Sequence, residues 1–273
     1  MKLPLPRSRR AFVITLAVVL GIAGISTGVA LALGPHSLTV TAGGIDARGG
    51  AATGADDGEL PAMTPGSAAT ADAEVDAPAA TTVAAVNGAG VSVRDAPRGN
   101  QIADLPAVQK SGAPLVFRVV AEKDGWLQVM LPQRPNGSTG WVDADAVSQS
   151  TTGYALVVTV SSNTLDLYKD GMLQKTFPVA TGTGGTPTPY GRFALSELLA
   201  PTNEGYGPFA YGTTAFSDVL NSFGGGPGQI GLHGTEDVDS IGTAASHGCV
   251  RMHNADITEL AGLLPLGTPF QVR

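Results

Sequence analysis

Cysteine is all but absent: one residue in 273, Cys249. A chain with a single thiol has no internal disulfide, so Cys249 is a nucleophile, a partner in an intermolecular bond or an inert buried side chain. Histidine is scarce too. The four histidines, at 36, 233, 247 and 253, are scattered, and with one cysteine they lack the clustering of a zinc site, so no metal is expected. No GK[ST] phosphate loop is present. In TGTGGTPTP, after Gly182 and Gly184, the third glycine of a dinucleotide fingerprint would fall at Pro187. No cofactor is therefore expected, and the prolines suit a structural turn. Outside Lys2, Arg7, Arg9 and Arg10 no stretch is basic enough for a nucleic-acid surface, which excludes nucleic acid as an expected partner.

Charge of either sign is missing from Ala11 to Ile45. The continuous apolar part, residues 11–34, is long enough at about 1.5 Å per residue to cross a hydrocarbon core of about 30 Å. A cleaved signal peptide has a shorter apolar region, about 7–15 residues. The reading is a basic cytoplasmic segment over 1–10 and a transmembrane signal-anchor over 11–34. Cleavage near Ala32, where Ala30-Leu31-Ala32 resembles a cleavage site, is the alternative. Either way the arginines stay inside, and the chain after Gly34 lies outside the cytoplasm, tethered to the cell membrane or secreted.

Residues 35–82 read as a flexible spacer, because 41–80 is Ala, Gly, Thr, Asp and Pro with no aromatic residue and little to bury. The formal charge of −7 is concentrated here, in Asp46, Asp56, Asp57, Glu59, Asp72, Glu74 and Asp76 against Arg48. The folded remainder is close to neutral.

From Val83 short alternating apolar runs broken by Gly, Pro and Asn indicate strands and turns. Asp124-Gly125 and Asn136-Gly137 mark tight turns, and Trp126 and Trp141 are large enough to anchor a small barrel core. The order NGAGVSVRDAP, GWLQV, GWVDADAV resembles the bacterial Src-homology-3-like (SH3-like) domains found beside cell-wall enzymes. That resemblance covers residues 83–150 and implies a wall-targeting or positioning module. A spacer barrel without a ligand fits the residues equally.

A further β-rich region covers 153–273, with hairpin signals at Asn163 and Asp170-Gly171. Its one helix comes late: Asn254 is a suitable cap, Ile257, Leu260, Ala261 and Leu264 share a face, and Pro265 and Gly267 stop it.

The chemistry sits in SHGCVRM, residues 246–252. Gly248 removes bulk beside the sulfur, and His247 and Arg251 put polar groups where an inert apolar pocket has none. A free thiol, with a pKa of about 8.5, needs a nearby imidazole or cation to favour the thiolate. His247 is two residues away, on the same side if a strand continues there. His233, in QIGLHGT, lies sixteen residues upstream, where a neighbouring strand would bring it across the pair. Spacing alone leaves both open.

LHGT at 232–235 together with SHGCVRM is similar to the signature of the YkuD-type L,D-transpeptidases, and TPTPYGRF at 186–193 resembles another stretch of that family. The fold implied is mainly β: a small SH3-like β-barrel followed by a YkuD-type β-rich catalytic domain with a short C-terminal helix. The resemblance implies Cys249 as nucleophile and His233 as general base and acid, oriented by the main chain at Gly234 or the Thr235 hydroxyl, with His247 auxiliary. Main-chain N–H groups of Gly248 and Cys249 are placed to stabilise an oxyanion. Arg251 binds a substrate carboxylate or orients backbone carbonyls, and Ser246 hydrogen-bonds within the site or merely ends a strand.

The implied activity is cross-linking of peptidoglycan, with tetrapeptide stems as donor and acceptor and a cysteinyl thioester between. β-Lactams of the carbapenem type are the expected inhibitors. An L,D-carboxypeptidase would use the same residues, and a non-catalytic wall-binding protein is the alternative of a different class.

Overall fold

The computed structural model describes residues 70, 71, 73–202, 205–223 and 225–273. The basic segment, the proposed anchor and most of the spacer lie outside the described residues. Among the described residues no helix is long and apolar enough to cross a membrane.

The molecule is mainly β. Seven strands form an antiparallel sheet in the spatial order β3-β2-β6-β5-β4-β1-β7: β1 Thr81–Val86, β2 Gly90–Arg94, β3 Gln101–Pro106, β4 Val116–Lys123, β5 Trp126–Met130, β6 Thr139–Asp143 and β7 Val147–Thr152. Asp124 and Gly125, at φ 52° and 80°, close the β4–β5 hairpin, as the dipeptide led one to expect. The core beneath this sheet is mostly aliphatic, with Val91, Val93, Leu127, Val129 and Val142 around the aromatic Phe117. The two tryptophans are not in it. Trp126 and Trp141 are only partly buried, because they alternate with Leu127 and Val142, which take the inward positions. The Arg94 guanidinium lies 5.6 Å over the Trp126 ring instead.

The second sheet has eight strands in the order β10-β9-β8-β17-β12-β13-β14-β16. They are β8 Tyr154–Thr159, β9 Thr164–Lys169, β10 Met172–Pro178, β12 Gly191–Leu199, β13 Ala210–Phe216, β14 Gln229–Thr235, β16 Val250–His253 and β17 Pro269–Val272. Two short strands, β11 Thr181–Gly182 and β15 Ala244–Ser246, pair beside it. Most neighbours are antiparallel, but β17 runs parallel to β8 and β16 runs parallel to β14. The core beneath it includes Leu156, Phe193, Leu195, Tyr211, Ile230, Leu232, Val250 and Met252.

The helix α1, Asn254–Leu263, covers one end of that core with Ile257 and Leu260, and Leu264 just beyond it is also buried. His253 occupies the N-cap without a side-chain bond, so Asn254 is the first helical residue and not the cap. Tyr211 is fully buried, and its hydroxyl donates to the Leu260 and Leu264 carbonyls, fixing the end of α1.

The two sheets belong to one compact unit. The end of the stretch read as spacer is held at their junction: Asp76 pairs with Arg118 at 2.8 Å, its N–H donates to Gln271 Oε1, and Gln271 Nε2 donates to the Glu74 carbonyl. Two loops of the first sheet reach the second. Gln109 Nε2 donates to the Ser196 carbonyl at 2.8 Å. Arg134 donates to the carbonyls of Ser217 (2.7 Å), Leu220 (2.9 Å) and Pro227 (3.3 Å), while Asn136 holds Phe216 through both its N–H and its carbonyl.

Candidate active site

Along β14 the side chains of Ile230 and Leu232 enter the core, so Gly231 and His233 fall on the opposite face. The parallel partner β16 places Val250 and Met252 in the core and Arg251 opposite His233 in register. Cys249, just ahead of β16, comes alongside Gly231, whose N–H donates to the sulfur at 3.4 Å. The space a Gly231 β-carbon would occupy has His233 Cδ2 at 3.7 Å and Cys249 Sγ at 3.9 Å. Histidine and thiol therefore border the same small volume, kept open by a residue without a side chain.

His233 is buried, and its Nδ1 lies 2.6 Å from the Gly234 carbonyl. A carbonyl only accepts, so Nδ1 carries the proton and Nε2 is left with a free lone pair. Thr235 does not share this task, since its hydroxyl accepts from the Asp237 N–H. Burial, helped by Arg251, lowers the His233 pKa to about 4 against the raising effects of the Gly234 carbonyl and Glu236. Burial also pushes the Cys249 thiol up, with the Gly231 N–H and Arg251 pulling the other way. At neutral pH the resting pair is a thiol beside a neutral imidazole.

The strand expected through His247 is interrupted. Gly248 has φ +116°, and a β-carbon there would meet Ile230 Cδ1 at 3.0 Å, so the chain bends where only glycine fits. His247 is turned outward, exposed and stacked on Phe223 with ring centres 5.0 Å apart. Ser246 is buried and ties the bend: its hydroxyl donates to the Cys249 carbonyl at 2.6 Å and accepts from the Gly248 N–H at 3.0 Å. That bond engages the Gly248 N–H, one of the two expected oxyanion donors. The Cys249 N–H is the other, and the Gly231 N–H, which the motifs did not single out, points at the sulfur.

The TGTGGTPTP turn fastens this bend from below. The Thr188 hydroxyl donates to the Gly248 carbonyl and accepts from the Gly182 N–H, both at 2.9 Å. The Thr183 N–H and the Thr186 hydroxyl donate to the Ser246 carbonyl.

Arg251 is half-buried and pairs loosely with the exposed Asp237, at 3.9 Å. Tyr206, which no motif marked, lies over the His233 ring with centroids 4.6 Å apart. Burial, and then the neighbouring Cys249, raise its phenol. Together these elements line a cleft of about 850 Å³ that contains Cys249, Gly231, Tyr206, Phe223, Glu197 and, from the first sheet, Ser111 to Pro114.

A thiol, a neutral buried imidazole and main-chain donors in an open cleft are the equipment of acyl transfer to and from sulfur. The family model of the YkuD L,D-transpeptidase catalytic domain matches residues 153–272. A YkuD protein of Bacillus licheniformis, whose name assigns it provisionally to the L,D-transpeptidases, is 35% identical over 148 residues, covering 52% of this chain and 82% of the relative. Its Bacillus subtilis counterpart is 37% identical over 115 residues, 42% of this chain and 63% of the relative. An L,D-transpeptidase structure from Mycobacterium smegmatis superposes with a TM-score of 0.37 at 18% identity, covering 67% of this chain and 99% of that one. The chain belongs to the YkuD-type L,D-transpeptidase family.

Proposed function

We propose that the protein is a peptidoglycan L,D-transpeptidase that exchanges one stem-peptide bond for another through a thioester on Cys249. The observation carrying this reading is the fixed tautomer of His233: with Nδ1–H held by the Gly234 carbonyl, Nε2 is free to take a proton in the volume it shares with the thiol.

Cys249 attacks the carbonyl of the third residue of a tetrapeptide stem while His233 Nε2 removes the thiol proton. The N–H groups of Cys249 and Gly231 offset the charge on oxygen, and Gly231 passes from holding the sulfur to holding the oxyanion. Collapse expels the terminal D-residue, whose amine leaves with the proton from His233, and the thioester remains. A second stem's amine then attacks the thioester, gives a proton to His233 and forms the cross-link as the thiol is restored. No energy source is needed, because one amide replaces another. A carbapenem enters by the same attack: its ring amide opens and the acyl group stays on sulfur.

Ser246 shapes the bend, His247 with Phe223 forms an outer wall, and Arg251 supplies the cation nearest the reacting groups. The first sheet, proposed as an SH3-like domain over 83–150, positions the catalytic domain of 153–273. Residues 11–34 anchor the chain in the cell membrane; of the spacer read over 35–82, the part before Glu74 extends it towards the wall, while Glu74 and Asp76 are tied to the sheets and Thr81 already begins β1.

The test is incubation of the full chain, in mild detergent, with disaccharide-tetrapeptide fragments and mass spectrometry of the products. Cross-linked dimers lost in Cys249→Ala and in His233→Ala are expected. Tripeptides alone would make it an L,D-carboxypeptidase, and no turnover would leave a wall-binding protein.

A further inference from the structure

The face of the second sheet that carries His233 is stripped of side chains along one row. Glu197 on β12 pairs with Gly212 on β13, and Gly212 pairs with Gly231 on β14, whose N–H meets the Cys249 sulfur. Residues paired directly across strands point to the same face. The Glu197 side chain lies flat over Gly212: a β-carbon there would sit 2.5 Å from Glu197 Oε1 and 2.6 Å from its Cγ. The row is thus a glycine floor with a carboxylate at one end and a thiol at the other. Its length is two strand spacings of about 4.8 Å, roughly 10 Å in all.

Strand β12 is irregular here. Phe193 and Leu195 enter the core, and continued alternation would send residue 197 after them. A register shift between Leu195 and Glu197 turns Glu197 to the cleft face instead. The first sheet completes the place: the Ser111 hydroxyl donates to Glu197 Oε2, and Gln109 fixes that loop to β12. Among the described residues Glu197 is the one charged residue lining the cleft, and no Lys or Arg among them pairs with it.

We infer that Glu197 and Ser111 form a subsite for a cationic amino group of the donor stem, the free side-chain amine of a diamino acid at the residue whose carbonyl Cys249 attacks. A diamino acid of that kind carries its far amine several single bonds from its carbonyl, a reach that fits a row of roughly 10 Å. The carboxylate gives the ammonium a charge partner, and Ser111 occupies one carboxylate oxygen, leaving Oε1 over the floor to accept from the amine. The acceptor's attacking amine does not fit this place, because it must reach the thioester at the other end.

The inference rests on the stem-peptide reading, and the test separates the two. Binding is measured by calorimetry on full-length Cys249→Ala, with and without Glu197→Gln, using a tetrapeptide whose third residue bears a free side-chain amine and the same peptide N-acetylated on that amine. Acetylation is expected to weaken binding about tenfold when Glu197 is present and hardly at all with Gln. Equal losses in both backgrounds would overturn the subsite, even if the wild type cross-links stems normally. The same pattern in Cys249→Ala, without turnover by the wild type, would keep the subsite and discard the catalytic reading. Release of the terminal D-residue by the otherwise wild-type chain separates donor from acceptor. Glu197→Gln should raise its KM about tenfold and leave kcat nearly unchanged, and a defect confined to the acceptor step would overturn the donor assignment.

Discussion

Replacing Arg134 with alanine should loosen one wall of the cleft from a distance. Arg134 belongs to the first sheet, yet its guanidinium donates to three carbonyls of the 217–228 loop and lies 5.3 Å over the Phe216 ring. That loop carries Phe223, the platform for His247. A hydrogen bond from a charged donor contributes about 1.5–3 kcal/mol when protected. Arg134 is exposed, so three such bonds together are discounted to about 2 kcal/mol. The assay is hydrogen exchange read by mass spectrometry over residues 217–228, where the Ser217 N–H donates to Gly228 and Phe223 and Gly226 bond reciprocally. Those amides should exchange about 30-fold faster, the equivalent of about 2 kcal/mol, while β8 and β17 keep their protection. Arg134→Lys keeps the charge but not the fork that reaches several carbonyls, so it should recover only a small part. Unchanged exchange in the loop, or the same acceleration in both sheets, would refute the clamp.

Three further outcomes follow from the site. The His233 imidazole, buried with a pKa of about 4 against about 6.5 when unfolded, adds stability that is fully present above about pH 6.5 and is lost as the pH falls towards 4. The loss is about 3 kcal/mol, and His233→Gln should flatten the melting-temperature difference between pH 7 and pH 4; parallel curves for the two proteins would sink this. Because burial raises the Cys249 thiol, its alkylation by iodoacetamide should be slow at pH 7 and climb only above the usual thiol range, whereas a fast, pH-independent rate would mean a resting thiolate. Thr188→Val keeps the shape but strands the Gly182 N–H and the Gly248 carbonyl, both buried partners of the lost hydroxyl, and should cost about 2 kcal/mol by urea unfolding and slow Cys249 acylation.

The alternation in QIGLHGT was readable because it is local: Ile230 and Leu232 point one way, Gly231 and His233 the other. The hairpin at Asp124-Gly125 was readable for the same reason, a positive-φ pair with few substitutes. Residues defined by long-range pairing were not. Glu197 reaches the cleft through a register shift that no dipeptide announces, and Tyr206 and Phe223 come from loops placed by contacts distant in sequence. Local rules also misled where one glycine overrode them. The alternation assumed through His247 ends at Gly248, which turns His247 outward. The tryptophans invited a core placement by size, but strand alternation had already given the inward positions to smaller neighbours.

The position of β17 sets a time as well as a place. It lies between β8, at the start of its domain, and β12, so these two strands are not joined until Pro269–Val272 arrives, although Ala180 and Arg251 already pair at the other side of the sheet. Cys249 is synthesised some twenty residues earlier, ahead of the strand that joins β8 to β12. A nascent chain therefore has the strands that present its thiol before it has the one that joins β12 to β8. A product cut short before Pro269 would hold both signature motifs and still lack the central seam of the sheet.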